Sequence, residues 1–315
     1  MINILIKELL KHNKIIILRH IFPDLDAIGS QMGLYQFIKD NFSDKEVLVS
    51  GHVPPEYSSI GLSNDLKKED YKNALVIITD TPITSRIDIK DINYLKEAKT
   101  IFKIDHHINV ENFADVEIVD DSYPATCELL TVIFNSKNYI FSNKTAYYLF
   151  HGLVTDTDRF LYRNVTSRTF EAASILMNKK IDINKIYNNI YSLEDNYLRM
   201  KGYILCNYVL TQNNLAYIII DKKILDKYKI KNPHQVSLWV NILGELKSAK
   251  IWIFFVQNDN HIRVEFRSSK YSVREIAIKY GGGGHKSASG AKVKDFIECQ
   301  KIISYCNELL KNNQN

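Results

Sequence analysis

The chain has 315 residues, of which 45% are hydrophobic and 24% are charged, and its formal net charge at pH 7 is +5. This composition excludes a disordered or fibrous chain and is typical of a globular protein, and the length suggests two domains. The mild charge permits an anionic partner but does not predict a long basic track for nucleic acid.

In the first half of the chain, three short apolar runs are typical of strands that are buried on both faces. They are KIIIL at 14–18, ALVIIT at 74–79 and TIFKI at 100–104. Helix-like segments separate the runs, and this alternation predicts an α/β domain with a mostly parallel sheet and helices on both faces. Further helical patterns follow at 124–136, 143–154, 167–178 and 182–208.

The second half of the chain predicts a smaller α+β domain. Strand-like segments lie at 215–221, 250–257 and 261–267, the last two as a hairpin, and helical patterns lie at 234–246, 272–279 and 295–311. We therefore predict an α/β catalytic domain at 1–180, a helical linker at 181–209 and an α+β domain at 210–315. Because no low-complexity segment separates the two domains, we expect them to share a cleft.

Cysteine spacing and the absence of long apolar runs indicate where the protein works. The four cysteines lie far apart, without a CxxC pair: Cys127, Cys206, Cys299 and Cys306. This spacing disfavours a zinc cluster or a disulfide scaffold. The N-terminal segment MINILIKELLKHNK lacks the apolar core of a signal peptide, and the longest apolar run, IWIFFV, is far shorter than the roughly 20 residues that span a bilayer. We expect a soluble protein of the reducing cytoplasm, without a membrane partner.

Acidic and imidazole side chains follow all three predicted strands of the first domain. They are His20, Asp24 and Asp26 after the first strand, Asp80 after the second, His106 and His107 after the third, and Asp156 at the end of a helical pattern. Open α/β sheets place their sites at the carboxyl ends of the strands. Oxygen and imidazole ligands without thiolates favour manganese or magnesium over zinc, and the imidazoles favour manganese. Two divalent cations would balance four carboxylates that otherwise repel each other.

Each of these residues has a structural alternative when it is taken alone. An aspartate at a strand end, such as Asp26 or Asp80, often only caps a helix, and a histidine pair is often only hydrogen-bonded. Asp158 lies two residues beyond Asp156 and competes with it as a ligand; we favour Asp156. Ligand residues at three strand ends together favour a metal site.

The run GGGGHKS at 281–287 is not a nucleotide-triphosphate loop, because GxxxxGK[ST] requires a glycine where His285 stands. Consecutive glycines let backbone N–H groups surround an anion, and His285 and Lys286 would add charge. A flexible turn without a ligand is the equal alternative. Arg267, at the end of the predicted hairpin, has the planar fork that binds two phosphate oxygens.

Several segments resemble the DHH phosphoesterase family. The first domain carries four successive motifs of that family: HIFPDLDAIGS, DTPITSRI, DHHINVENFADVEIVD and GLVTDTDRF. The segment RVEFRSSKYSVREIAIKYGGGGHKSASGA resembles the DHH-associated domain, with its GGGGH signature. Within the family, the motifs are most similar to oligoribonucleases that also dephosphorylate pAp. Asp158 departs from the pattern, which has a glycine there, and nothing specific is recognised between about 180 and 245.

The resemblance implies a centre of two Mn²⁺ ions, with Mg²⁺ as a substitute. It places His20, Asp24 and Asp80 around one ion, and Asp26, Asp80, His106 and Asp156 around the other. Asp80, which would bridge the ions, and His107, which would face the substrate phosphate as a hydrogen-bond donor or acid, are the implied catalytic residues. Asp105 is expected to orient the imidazoles. The implied substrate-binding residues are Arg267, Ser268, Gly283, Gly284 and His285.

The implied activity is manganese-dependent hydrolysis of short oligoribonucleotides (nanoRNA) to nucleoside 5′-monophosphates, with removal of the 3′-phosphate of pAp as a second reaction. The alternative is a phosphodiesterase for linear or cyclic dinucleotides such as pApA, which the same residues would serve. A binding protein that has lost the chemistry is disfavoured because every ligand type is present, and an inorganic pyrophosphatase is disfavoured by the GGGGH segment. The oligomeric state is left open, with a homodimer as one candidate.

Overall fold

A computed structural model describes residues 1–162 and 164–312 of the chain. The chain divides into two compact units, Met1–Ser192 and a second unit that begins at Leu193. Among the described residues, no helix combines the length and the apolar character that crossing a bilayer requires. The four cysteines are free thiols, three of them buried.

The first unit contains a five-stranded sheet and six α-helices among its described residues. In chain order the elements are α1 Ile2–Lys11, β1 Lys14–Leu18, α2 Leu25–Asn41, β2 Glu46–Val49, β3 Leu75–Thr79, β4 Thr100–Asp105, β5 Val116–Val119, α3 Thr126–Phe134, α4 Asn143–Asp156, α5 Ser167–Met177 and α6 Ile183–Tyr191. Short 3-10 helices lie at Pro55–Tyr57, Lys68–Tyr71, Thr84–Arg86 and Ile92–Glu97.

All strand pairs in the first sheet are parallel, in the order β2-β1-β3-β4-β5. The predicted parallel α/β sheet is therefore confirmed, and the three predicted strands are its centre. The two outer strands were not predicted. Both have only four residues and are partly exposed, so neither has the continuous apolar run that marks a central strand.

Alternate residues of the central strands enter two different cores. Ile15 and Ile17 of β1 pack in a core with residues of α1 to α6, whereas Ile16 and Leu18 pack against residues between the strands, including Tyr71 and Leu95. The first face is thus covered by α-helices and the second by short 3-10 helices and loops. This period of two is what a strand buried on both sides requires.

The second unit contains a six-stranded sheet. Its elements are α7 Asp195–Asn207, β6 Val209–Leu210, β7 Leu215–Ile220, α8 Lys222–Lys227, α9 Pro233–Ser237, β8 Ile251–Gln257, β9 Ile262–Ser268, α10 Arg274–Lys279, β10 Gly283–Gly284, β11 Ala288–Val293 and α11 Phe296–Asn312, with a 3-10 helix at Leu238–Glu245. The order is β10-β11-β9-β8-β7-β6, with β7 and β8 parallel and the other pairs antiparallel.

The predicted α+β fold of this unit and its β8–β9 hairpin are confirmed. Strand β11 was not predicted, because its sequence ASGAKV is dominated by small residues. The segment predicted as a helical linker is divided between the units. Ile186 of α6 is buried in the core of the first unit, and Met200 and Ile204 of α7 are buried in the second unit. Helix α6 therefore packs in the first unit and α7 in the second.

A candidate metal centre at the carboxyl edge of the first sheet

The side chains that follow β1, β3 and β4 meet at one edge of the parallel sheet. In the first group, His20, Asp24 and Asp80 each place a ligand atom within 4.8 Å of the others. His20 Nε2 lies 3.4 Å from Asp80 Oδ2 and 3.9 Å from Asp24 Oδ2. The structure thus brings together the three residues predicted for one ion.

A second group contains Asp26, His106 and Asp156, whose ligand atoms also lie within 4.8 Å of one another. His106 Nε2 lies 3.5 Å from Asp156 Oδ2, 3.8 Å from Asp26 Oδ2 and 3.5 Å from Asp80 Oδ1. Asp80 therefore turns one oxygen toward each group. This placement fits the bridging role that the family resemblance implies for Asp80.

The two histidines are oriented as cation ligands. His20 Nδ1 lies 2.8 Å from the carbonyl of Ile21, and His106 Nδ1 lies 3.1 Å from that of Tyr123. A carbonyl accepts only from N–H, so Nδ1 carries a proton in both rings and Nε2 faces the carboxylates. A bare Nε2 lone pair beside carboxylate oxygens requires a proton or a metal ion between them. The donor set therefore fits divalent cations.

The pKa shifts of His20, Asp26 and Asp156 also indicate that positive charge stabilises this centre. Burial and the charge of Asp80 raise the pKa of Asp26 to about 7, and burial and the charge of Asp26 raise that of Asp156. Burial would lower the pKa of His20, but its hydrogen bond with Asp80 and the charges of Asp80 and Asp24 raise it. Protons thus occupy places where cations would balance the carboxylates.

Asp80 is held in an unusual backbone conformation. Its φ of 52° lies in the left-handed region, which is uncommon for a non-glycine residue and costs of order 1–3 kcal/mol. Its N–H donates to the carbonyl of Ile104 at 3.0 Å, and its Oδ1 accepts from Thr126 Oγ1 at 3.0 Å. Although burial opposes it, hydrogen bonding with His20 and the charge of His106 hold the pKa of Asp80 well below its usual range. The strained residue is thus the one at which the two groups meet.

Thr126 and the start of α3 are parts of this site that sequence reasoning missed. Asp26 Oδ2 accepts from Thr126 N at 2.7 Å, and Asp26 Oδ1 accepts from Cys127 N at 2.9 Å. The N-cap residue of α3 is Ala125, which has no side-chain cap to offer, so a carboxylate 100 residues away fills that role. In the sequence, the one sign of this contact is that the apolar segment of α3 begins without a residue that could cap it.

Gly152 of α4 permits the close approach that fixes Asp26. A Cβ at this position would lie 2.6 Å from Asp26 Oδ1 and 2.8 Å from Asp26 Cα, and would also contact Cys127 Sγ. Asp26 lies in the first turn of α2, so α2, α3 and α4 meet at this one glycine. Glycine is therefore required here by space, not by backbone conformation.

Gly152→Ala is expected to lower the affinity for Mn²⁺ by about 10- to 100-fold, because displacing a ligand's support typically has that effect. Isothermal titration of the metal-free protein measures it. Gly202→Ala is the matched control: it lies in a helix, and its Cβ would meet nothing within 4 Å. Equal Mn²⁺ affinity in both variants would contradict the assigned role of Gly152.

His107 is held by a buried chain of charged groups. Its Nδ1 lies 2.8 Å from Asp105 Oδ1, and Asp105 Oδ2 lies 3.9 Å from Lys103 Nζ, with the side chains of Asp105 and Lys103 fully buried. Burial would lower the pKa of His107, but the hydrogen bond with Asp105 and the charge of Asp80 raise it to about 9. His107 also belongs to a third group of potential ligands with Asp80 and His106. Asp105 thus contacts the ring of His107 and leaves its Nε2 for another partner. The expectation that Asp105 orients both imidazoles is met only at His107, because His106 Nδ1 faces the carbonyl of Tyr123.

Asp158 forms an ion pair with the arginine that follows it. It pairs with Arg159, whose Nη2 lies 3.2 Å away, whereas Asp156 is the carboxylate that joins Asp26 and His106. Asp158, Arg159 and Phe160 have φ values of 44°, 62° and 67°. Aspartate enters this left-handed region more readily than most residues, which explains how it stands where glycine is expected.

The predicted substrate-binding residues of the second unit lie at one end of its sheet. Arg267 pairs with Ala288 across β9 and β11, and His285 is exposed in the turn that precedes Ala288. Arg267 Nη1 donates to Glu265 Oε2 at 3.3 Å and to the carbonyl of Phe266 at 2.9 Å. The guanidinium is therefore positioned through one of its nitrogens.

Ser268 and the glycine run have structural contacts that the sequence did not predict. Ser268 is 5% exposed, and its hydroxyl donates to the carbonyl of Lys250 and accepts from two backbone N–H groups of the next turn. The N–H groups of Gly281 and Gly282 donate to carbonyls of α10. These two amides therefore close the helix, and anion binding at Gly283 and Gly284 stays a prediction. Gly283 and Gly284 form β10 opposite Gly290 and Ser289.

The chain belongs to the DHH family. The family's N-terminal domain pattern matches residues 14–153, and the DHHA1 domain pattern matches residues 215–312. Membership of this family, together with the relatives described next, makes the chain a phosphoesterase, a hydrolase acting on phosphoester bonds.

Two relatives are similar over almost the whole chain. The bifunctional oligoribonuclease and PAP phosphatase NrnA of Bacillus subtilis (strain 168) is 33% identical over 313 residues, which cover 98% of this chain and 99% of the relative. The protein of the same name from Mycoplasma genitalium is 35% identical over 307 residues, which cover 96% and 95%.

Solved structures show the same fold. An exopolyphosphatase-related protein from Bacteroides fragilis has a TM-score of 0.88 and 28% identity, covering 98% of this chain and 97% of its own. RecJ of Thermus thermophilus in complex with Mn²⁺ has a TM-score of 0.52 and 11% identity, covering 100% of this chain and 54% of its own. At that identity, the RecJ likeness shows the fold alone.

Proposed function

We propose that the protein is a manganese-dependent phosphoesterase that hydrolyses short oligoribonucleotides to nucleoside 5′-monophosphates and also removes the 3′-phosphate of pAp. The observation that carries this proposal is the pair of ligand groups joined by Asp80. The names of the relatives support the choice of short RNA and pAp. The cytoplasmic location stays a prediction, and the homodimer stays an open candidate.

We assign two divalent cations to the two groups. His20, Asp24 and Asp80 would hold one, and Asp26, Asp80, His106 and Asp156 the other. When bound, such ions polarise a phosphoryl oxygen and lower the pKa of a coordinated water. The imidazoles favour manganese over magnesium, and the Mn²⁺ complex of RecJ shows that a protein of this fold accepts that ion.

His107 is proposed to act on the substrate. Asp105 fixes its Nδ1–H, which presents Nε2 as the donor toward a phosphate oxygen or the leaving 3′-oxygen. Without metal ions its pKa is raised to about 9, and the hydrogen bond to Asp105 is the part of this effect that does not depend on the proposed metal ligands. When the phosphoester bond breaks, the proton on Nε2 would pass to the departing oxygen.

Arg267, Gly283, Gly284 and His285 are proposed to bind substrate phosphate or sugar, with Ser268 supporting the turn beside Arg267. Arg267→Ala is expected to raise the KM for an RNA trimer by about 10- to 150-fold, because a hydrogen bond to a charged group contributes about 1.5–3 kcal/mol. Steady-state kinetics with Mn²⁺ measures this.

Arg263→Ala is the matched control for Arg267. Arg263 pairs with the same Glu265, at 2.6 Å, and lies two residues away from Glu265 on the same strand. We expect its KM to stay near that of the native protein. Equal KM increases in the two variants would mean that both substitutions act by disturbing Glu265. This result would contradict the assignment of Arg267 to the substrate site.

Product profiles test the substrate choice. RNA dimers to pentamers, pAp and pApA are incubated separately with the protein and Mn²⁺, and the products are resolved by chromatography. We expect mononucleotides from each RNA length and adenosine monophosphate from pAp. Efficient cleavage of pApA alone would replace the proposal by the dinucleotide phosphodiesterase.

A further inference from the structure

Phe22 is an aromatic side chain held in solvent between two predicted metal ligands. It lies two residues from His20 and two residues from Asp24, and it is 89% exposed. An exposed phenylalanine on its own needs no explanation. This one stands out because its backbone is also strained and its neighbours are fixed.

The strain lies in the backbone of Phe22, whose φ of 52° is in the left-handed region. A bulky aromatic residue is a genuine outlier there. No packing gain compensates the conformation, because the ring is in solvent. Strain of this kind is typical of sites that bind or react.

The residues on both sides of Phe22 are fixed. Ile21 N donates to the carbonyl of Arg86 at 2.7 Å, Pro23 restricts the next φ, and Asp24 caps α2 by accepting from Asp26 N and Ala27 N at 3.0 Å each. The backbone on both sides of Phe22 is therefore fixed, and the ring projects from it into solvent.

The position of the ring restricts what it can contact. Two residues span at most about 7 Å, so Phe22 lies beside the centre where the phosphate of a substrate would be bound. A protein seated on the ring would also cover that centre. A base attached to the bound phosphate has the flat apolar face that an aromatic side chain stacks on, whatever its sequence.

We propose that Phe22 stacks on a nucleobase of the substrate and so adds a base-recognition site beside the metal centre. The inference rests on the proposed function, since it requires a nucleotide substrate. The ring contributes to the binding of any base and selects nucleotides over other phosphoesters, with little preference among the four bases.

The test crosses two proteins with two substrates. The native protein and Phe22→Ala are given an RNA trimer and the same trimer with abasic positions. Stacking predicts that Phe22→Ala raises the KM for the normal trimer by about 5- to 150-fold and leaves the KM for the abasic trimer unchanged. Phe22→Trp, which keeps an aromatic ring, should have a KM for the normal trimer near the native value. An unchanged KM for the normal trimer, or equal losses on both substrates, would overturn the proposal.

A second readout does not depend on turnover. Binding of a dinucleotide that contains 2-aminopurine is followed by quenching of its fluorescence, and Phe22→Ala should weaken it by the same factor. Phe22→Asn should weaken it too, while raising the melting temperature by about 2–4 °C, because asparagine enters the left-handed region more readily. A lower melting temperature would mean that the ring has a structural contact and would overturn the proposal.

These measurements separate the inference from the proposed function. Native protein that binds the dinucleotide through Phe22 but does not hydrolyse RNA would contradict the proposed function only. Native protein that hydrolyses RNA with a KM independent of Phe22 would contradict the inference only.

Discussion

Asp80→Ala is expected to lower RNA hydrolysis by about 10³-fold or more, since metal-assisted stabilisation contributes several kcal/mol to the barrier. The reason is structural: Asp80 alone among the described carboxylates contributes to both the His20 and the His106 groups. Its loss would weaken both. The measurement is initial rate on an RNA trimer at saturating Mn²⁺, together with a Mn²⁺ titration.

Asp158→Ala is the control for Asp80. It removes a carboxylate close in sequence to Asp156 that pairs with Arg159, so activity should stay near the native level. Native activity in Asp80→Ala, or a comparable loss in Asp158→Ala, would show that the centre is assigned to the wrong residues.

The second large effect is expected from His107→Ala, which should lower kcat by about 10²- to 10⁴-fold, the usual range for a positioned general acid. Because His107 is proposed to act on the substrate, the affinity for Mn²⁺ should stay within a few-fold of native. Asp105→Asn should lower kcat less, since Asp105 acts through His107. Both are measured by pairing kinetics with metal titration.

His106→Ala supplies the contrast for His107. Its Nε2 lies among Asp26, Asp80 and Asp156, so its loss should reduce Mn²⁺ affinity strongly. The two histidines are adjacent in sequence, and both can join a group with Asp80. If His107→Ala reduced Mn²⁺ affinity as much as His106→Ala, His107 would be a metal ligand instead.

The central strands and the ligand residues could be predicted from sequence because they obey local rules. A strand buried on both faces is an unbroken apolar run, as in KIIIL and LVIIT, and polar residues at the ends of such strands must share one edge of a parallel sheet. The grouping of His20 with Asp80, and of Asp26 with His106, was implied by the resemblance to the DHH family, and the structure places these side chains together.

Contacts between distant segments could not be predicted in the same way. The hydrogen bond from Thr126 to Asp80 and the close approach of Asp26 to Gly152 depend on how α2, α3 and α4 pack. No residue spacing in the sequence encodes that packing. Lys103 lies in an apolar run, yet its ammonium is buried with carbonyl oxygens and Asp105 around it. The carbonyl partners come from loops that the sequence leaves undefined.

The glycine run shows a limit of motif reading. Its composition allowed an anion cradle or a flexible turn, and in the structure the run consists of a helix end followed by a short strand. Glycine is needed at Gly282 because a Cβ there would collide with the backbone of Gly290, and at Gly284 because its φ is 135°. Steric demands of the hairpin thus explain residues that also suggest phosphate binding.

The most direct test of the proposed function is release of nucleoside 5′-monophosphates from an RNA trimer that carries a label at its 5′ end. The native protein is assayed with Mn²⁺, then with excess chelator, then with Mn²⁺ restored. Two ligand groups joined by Asp80 predict release that stops with chelator and returns with Mn²⁺. An intact trimer in the presence of bound Mn²⁺, or release that continues in chelator, would contradict a metal-dependent oligoribonuclease.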